Sequence, residues 1–232
     1  MINGLKIFCV ILARGDSKGI YKKNIYPLSG KPLIYYTINQ CMQSMYIDRI
    51  VVSTDDDAIK EESIKYCEVI DRPKYLSDDK SPSEESIIHA IKKYKEKSHI
   101  VLFPQVTHPI RRVNLIDLCI EKYVNSQCDS LITVKSFSPF FAHVDQNNKV
   151  YFNNKSKIIH RKMRQDYTRQ ELFYYDAGNL YLIESDMLIQ KKDRIGLNPV
   201  LFKLYDYECI DIHNLIDVKI ANVVMEYLNG DI

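Results

Sequence analysis

The run Lys6-Ile7-Phe8-Cys9-Val10-Ile11-Leu12 leads directly into Ala13-Arg14-Gly15-Asp16-Ser17-Lys18-Gly19-Ile20-Tyr21-Lys22-Lys23-Asn24. The first part is continuously apolar and rich in β-branched residues, the pattern of a strand buried on both faces of a parallel sheet. The second part is a loop leaving that strand at its carboxyl end, where open α/β sheets hold their ligands. Its glycines allow close backbone approach, and Arg14, Lys18, Lys22 and Lys23 offer positive charge to phosphate oxygens. The residues alone leave two readings open, a phosphate cradle and a solvated basic turn. The stretch holds neither G-x-x-x-x-G-K-[ST] nor G-x-G-x-x-G, which disfavours kinases, GTPases and dehydrogenases.

Working outward, Pro32–Met45 starts with proline in the first turn and carries Leu33, Ile34, Thr37, Ile38 and Cys41 at helical spacing. Arg49–Thr54 is a second buried strand, completing a βαβ unit. The alternation continues through a helix at Asp56–Tyr66, a strand at Glu68–Ile70, a helix at Ser83–Tyr94, a strand at His99–Phe103, a helix at Val113–Asn125 and a strand at Ser130–Lys135. This rhythm predicts an α/β fold with a doubly wound, mostly parallel sheet. It breaks over Ser136–Tyr175, which is aromatic, Asn-rich and basic. Strand character returns at Gly178–Ile183, and a last amphipathic helix spans Asn214–Leu228. Residues 1–232 therefore read as one domain, with 136–175 as a dimerisation or lid insertion. The rings of Phe137, Phe140, Phe141, Tyr151 and Phe152 would be costly to leave in water, so a homodimer is expected.

Composition narrows the function. Of 232 residues, 46% are hydrophobic and 27% charged, as in ordinary globular domains. Lys plus Arg number 32 against 30 Asp plus Glu, too even for a general nucleic-acid binder. The apolar stretch Ile7–Ala13 is far short of the ~20 residues that span a bilayer, so neither nucleic acid nor membrane is an expected partner. The six cysteines are scattered without a C-x-x-C pair, so a reduced, cytoplasmic setting is expected.

Later strand ends carry further candidates. In Ser53-Thr54-Asp55-Asp56-Asp57, Thr54 or Asp55 is expected to cap the next helix. Ser81-Pro82-Ser83-Glu84 reads as a capping box with Ser81 as N-cap. Gln105-Val106-Thr107-His108-Pro109-Ile110-Arg111-Arg112 gathers hydrogen-bonding groups and two arginines suited to a polyhydroxylated or anionic substrate. Asp211 and Asp217 flank the start of the last helix, where a carboxylate is usually a cap.

With those residues in view, the chain resembles the acylneuraminate cytidylyltransferases, or CMP-sialic acid synthetases, and their nonulosonate relatives. The family pattern A-R-x-x-S-K-G followed by K-N is similar to Ala13–Gly19 followed by Lys23-Asn24. Pro27–Ile34, Val52–Asp55 and Arg72-Pro73 also fall on the pattern. Q-P-T-S-P-L-R is similar to Gln105–Arg111, with Val106 and His108 departing. D-I-D resembles Asp211-Ile212-His213. N-G-A-x-Y resembles Ala177–Tyr181, although Asp176–Tyr181 is nearer the D-A-G-Q-F-Y form of pseudaminic acid relatives.

The resemblance implies a Rossmann-like nucleotidyltransferase transferring CMP from CTP to the anomeric hydroxyl of a 2-keto-3-deoxy nonulosonic acid, with Mg²⁺ as cofactor and pyrophosphate as co-product. Arg14, Ser17, Lys18 and Lys23 would hold the triphosphate, with Arg14, Lys18 and Lys23 catalytic. Ala13, Asn24, Arg72, Ser83 and Thr107 would meet the nucleotide, Gln105 and Ala177 the sugar acid, and Asp211 with His213 the metal. The competing readings are a nucleotidyltransferase for another sugar or small acid, and a weakly active nucleotide-binding paralogue.

Overall fold

The computed structural model describes residues 2–94, 99–137, 142–152, 163, 165, 168 and 172–230. In chain order the elements are β1 (Ile7–Leu12), β2 (Pro27–Leu28), β3 (Lys31–Pro32), α1 (Leu33–Met42), β4 (Arg49–Thr54), α2 (Asp57–Ser63), β5 (Glu68–Asp71), α3 (Ser83–Tyr94) and β6 (Ile100–Pro104). They continue with α4 (Leu115–Asn125), β7 (Ser130–Phe137), β8 (Ala142–Val144), β9 (Val150–Phe152), β10 (Phe173–Glu184), α5 (Ser185–Lys191), β11 (Pro199–Lys203) and α6 (Leu215–Asn229).

Seven strands form one sheet in the order β11-β7-β10-β6-β1-β4-β5. Pairing is parallel except at β10, which runs antiparallel to both β6 and β7. The expected α/β sheet is therefore present, with one reversed strand that the apolar pattern of Gly178–Ile183 did not disclose. Successive strand side chains face opposite sides, and β1 uses both. Ile7, Cys9 and Ile11 pack with α1, α4 and α6 on one face. Phe8 and Val10 pack with α3 and α5 on the other. That two-sided burial is why β1 reads as an unbroken apolar run.

Two cap assignments change. Asp56, rather than Thr54 or Asp55, caps α2, accepting from the Ile59 amide at 2.9 Å. Asp55 instead accepts from the Gly15 amide at 3.0 Å. Ser81 is not the cap of α3: its hydroxyl donates to the Tyr75 carbonyl at 2.6 Å. Glu84 reaches across to Arg194, 2.6 Å away, so the expected capping box is absent.

The described part of 136–175 includes the ends of β7 and β10, paired through Phe137 and Phe173, and the hairpin β8–β9. Phe140 and Phe141 lie outside the described residues. Phe137 contacts the rings of Phe173 and Tyr175, yet Phe173 remains 55% exposed and Tyr175 45%. Among the described residues, no helix is long and apolar enough to cross a membrane.

Candidate active site

The sheet order changes direction beside β1: β4 and β5 lie to one side and β6 to the other. A crevice opens beyond the carboxyl ends of strands at such a switch point. Here it is a cleft of about 580 Å³. The loop after β1 contributes Arg14, Ser17, Lys18, Gly19, Lys23 and Asn24, and the β5–α3 segment contributes Arg72, Asp78, Asp79, Ser81 and Ser83. Phe103, Gln105 and Thr107 come from the end of β6, and Asp211 and His213 precede α6. Residues separated by nearly the whole sequence thus share one wall. Ala13 and Ala177 are not on it. Both are buried, and the Ala13 amide donates to the Ser53 carbonyl at 3.1 Å.

The basic loop is held from behind. Asn24, itself buried, donates its side-chain amide to the Arg14 carbonyl at 2.8 Å. Lys23 donates to the Ile212 carbonyl at 2.9 Å, and burial lowers its pKa, opposed by the nearby Asp211 carboxylate. Gly15 and Gly19 are closely packed against the rest of the protein. A Cβ on Gly19 would lie 2.1 Å from the His213 carbonyl oxygen, and one on Gly15 would lie 2.9 Å from Asp56 Cβ. The glycines therefore dock the loop against α2 and the approach to α6, leaving Arg14 and Lys18 facing the cleft.

Sequence reading did not single out Asp79. Its carboxylate lies 2.8 Å from Arg14 Nη2 and 2.7 Å from Lys18 Nζ. These contacts, the Lys18 hydrogen bond foremost, hold its carboxyl below the usual range. Arg72 is buried against Ser53, donating to that residue's hydroxyl and carbonyl. Burial lowers its pKa to about 10, which leaves it charged at neutral pH.

The two arginines after β6 do not serve an anionic substrate. Arg111 is buried and donates to Asn179, Thr37, Gln40 and the Gln105 carbonyl. Arg112 pairs with the buried Glu208 and covers the ring of Tyr205. Both are structural clamps, and no local pattern distinguishes such arginines from ligand-binding ones.

At the far end of the cleft, His213 Nε2 lies 2.8 Å from Asp211 Oδ2. The other Asp211 oxygen, Oδ1, is buried without a hydrogen-bond partner. His108 Nδ1 approaches that oxygen at 3.9 Å, but burial holds His108 near a pKa of about 4, so the imidazole is neutral. Gly178, at φ +73°, allows the backbone to pass over this ring, where a Cβ would meet His108 Cε1 at 3.2 Å. Asp217 is confirmed as a cap: with Asn214 it forms a capping box at the start of α6. Among the described residues, no group of three or more His, Cys, Asp or Glu could hold a metal by itself. An unsatisfied carboxylate oxygen near the Lys23 ammonium nevertheless fits Mg²⁺, which binds one or two carboxylates and takes its other ligands from substrate phosphates and water.

Known proteins share this architecture. The fold is similar to that of a CMP:2-keto-3-deoxy-manno-octonic acid synthetase complexed with CTP (TM-score 0.69, 14% identity, covering 96% of this chain and 99% of that one). In sequence the chain is 31% identical to a pseudaminic acid cytidylyltransferase of Campylobacter jejuni over 229 residues, 95% of this chain and 96% of the relative. It is 28% identical to an N-acylneuraminate cytidylyltransferase of Streptococcus agalactiae over 81% of this chain and 46% of that longer protein. The family model described as Cytidylyltransferase matches residues 8–212, from β1 to just past Asp211. The chain belongs to the cytidylyltransferase family and is a CTP-dependent nucleotidyltransferase.

Proposed function

We propose that the cleft transfers CMP from CTP to the anomeric hydroxyl of a 2-keto-3-deoxy nonulosonic acid and releases pyrophosphate. The observation that carries this reading is the convergence in one cleft of Arg14, Lys18 and Lys23 with Gln105, Thr107 and Asp211. The first set suits a triphosphate, and the second suits a polyhydroxylated acid and a metal-bound phosphate. Nucleotidyl transfer gathers negative charge on equatorial and leaving oxygens, so fixed cations favour its transition state over the ground state. Arg14 and Lys18 hold the departing pyrophosphate, with Ser17 beside them. Lys23, tied to the Ile212 carbonyl, is a less mobile cation nearer the Asp211 end.

Arg72 and Ser83 flank the nucleoside side of the cleft, and Asn24 contributes by fixing the Arg14 backbone. Gln105 orients the acid. Asp211, with His213 beside it, would hold Mg²⁺, which would neutralise phosphate charge and lower the pKa of the attacking hydroxyl. The attacking group belongs to the substrate, so no protein nucleophile is required. Ala13 and Ala177 act from beneath the wall through backbone position.

The Asp176-Ala177-Gly178 stretch and the identity to a pseudaminic acid cytidylyltransferase favour an acceptor other than N-acetylneuraminic acid. Pyrophosphate release with CTP and a panel of sialic, pseudaminic and legionaminic acids tests this, with N-acetylneuraminic acid expected to be a poor acceptor. If it proves the best, the acceptor assignment is wrong.

The same proposal extends to assembly. Exposed rings at Phe173 and Tyr175, on the ribbon formed by the ends of β7 and β10, support residues 136–175 as a homodimerisation arm. Light scattering is expected to give twice the chain mass at micromolar concentration; a monomer there counts directly against the arm.

A further inference from the structure

Asp79 is the one acidic group paired with the cleft's phosphate-loop cations among the described residues, and it meets both Arg14 and Lys18 at hydrogen-bond distance. Its two oxygens divide between them: Oδ1 faces Arg14 Nη2 and Oδ2 faces Lys18 Nζ. This is how neighbouring oxygens of a phosphate would be held by the same pair. The carboxylate sits on the short segment between a 3₁₀ turn at Lys74–Leu76 and α3. It is partly exposed, and the Lys18 side chain is 81% exposed, so the pairing can exchange without disturbing the core. Asp78, next to it on the same cleft wall, behaves differently: its carboxylate accepts from the Lys80 amide at 3.1 Å and makes no ion pair among the described residues.

Building on the reading of the loop as a triphosphate site, we infer that Asp79 occupies a phosphate position in the free protein, is expelled by the incoming triphosphate, and returns to displace pyrophosphate after transfer. Exposed ion pairs are individually weak, so a triphosphate carrying several charges outcompetes one carboxylate. Pyrophosphate has lost its bond to the nucleoside and with it the contacts that Arg72 and Ser83 give the nucleotide. It therefore competes less well against a carboxylate tethered beside the same cations, where effective concentration is high. Asp79 thus lowers the site's hold on both anions, and pyrophosphate, the weaker binder, is the one it helps to release. It is a positioning and release residue, not a catalytic one.

The test is calorimetric binding of sodium pyrophosphate and of CTP to the full chain, comparing the parent with Asp79→Asn, Asp79→Ala and Asp78→Asn, each checked for an unchanged melting curve. The two Asp79 variants are expected to bind pyrophosphate about three- to tenfold tighter, the range that loss of two exposed ion pairs allows. Asp78→Asn, which removes the same charge from the same wall, should stay within about twofold of the parent. Unchanged or weaker pyrophosphate binding in the Asp79 variants overturns the inference, as does an equal gain in Asp78→Asn, which would mark a general field effect. If CTP binds normally in those cases, the nucleotide reading stands and the displacement alone fails. If neither anion binds any of the proteins, the triphosphate reading of the loop fails and takes the inference with it.

Discussion

Lys18→Ala is expected to slow CMP transfer by about 10²–10³-fold, the usual cost of removing one preorganised charge from a developing oxyanion, while shifting Tm by less than about 2 °C. The Lys18 side chain is 81% exposed and its recorded partner is the partly exposed Asp79, so little packing is lost. Its place in the cleft, facing the proposed leaving group, makes its charge matter in the transition state. Melting temperature and single-turnover rate measured on the same preparation separate this from a solvated turn, for which both would stay nearly unchanged. Retained single-turnover rate in a folded Lys18→Ala protein would remove Lys18 from the catalytic set.

Arg111→Met is expected to do the reverse, acting first on stability. Five hydrogen bonds leave its guanidinium, to Asn179 Oδ1 at 2.7 Å, Thr37 at 3.2 Å, Gln40 at 2.7 Å, the Gln105 carbonyl at 2.9 Å and the Asn179 carbonyl at 3.0 Å. Through them one side chain joins α1, the end of β6 and β10. Burial lowers its pKa to about 10, so the group is still a cation at neutral pH. Its removal leaves several buried acceptors without a donor at once, a loss of about 3–4 kcal/mol, or roughly 10 °C in Tm for a chain of this size. Arg111→Lys should recover little, because an ammonium cannot reproduce the planar fork. Since Gln105 hangs from the same clamp, KM for the acceptor should rise more than KM for CTP. A melting temperature within a few degrees of the parent would contradict the clamp.

What could be read from sequence follows from the range of the interactions involved. β1, β4, β6 and β7 announce themselves because each is buried on both faces, and a local apolar run records that directly. The loop Ala13–Asn24 is legible for the same reason: its charges and glycines lie in one contiguous stretch. β10 was only half legible. Gly178–Ile183 shows its core-facing part, but its antiparallel direction and its extension back to Phe173 depend on pairing with β6 and β7 across a bulge between Asp176 and Tyr181. β11 alternates between exposed and half-buried residues at the sheet edge, too weak a pattern to stand out.

The site divides the same way. The cations of the first loop were found, but their partner Asp79 was not, because an acidic residue in a polar turn looks like any solvated charge. Arg111 and Arg112 were misread because an arginine's role is set by what surrounds it, here Asn179 and Glu208, 68 and 96 residues away. The glycines are legible in place, whereas their close packing against His213 and Asp56 depends on distant parts of the chain. Asp211 and His213 join the cleft only because the chain returns to it before α6.

The central claim is that this cleft joins a CMP group to a sugar acid. Purified protein incubated with Mg²⁺, CTP and pseudaminic acid, with pyrophosphate and the nucleotide-linked sugar measured together, tests it most directly. The two products should appear in equal amounts, only when the acid is present, and with ATP or GTP as poor donors. Pyrophosphate released without an acid acceptor, or equal turnover of a purine triphosphate, would contradict the account.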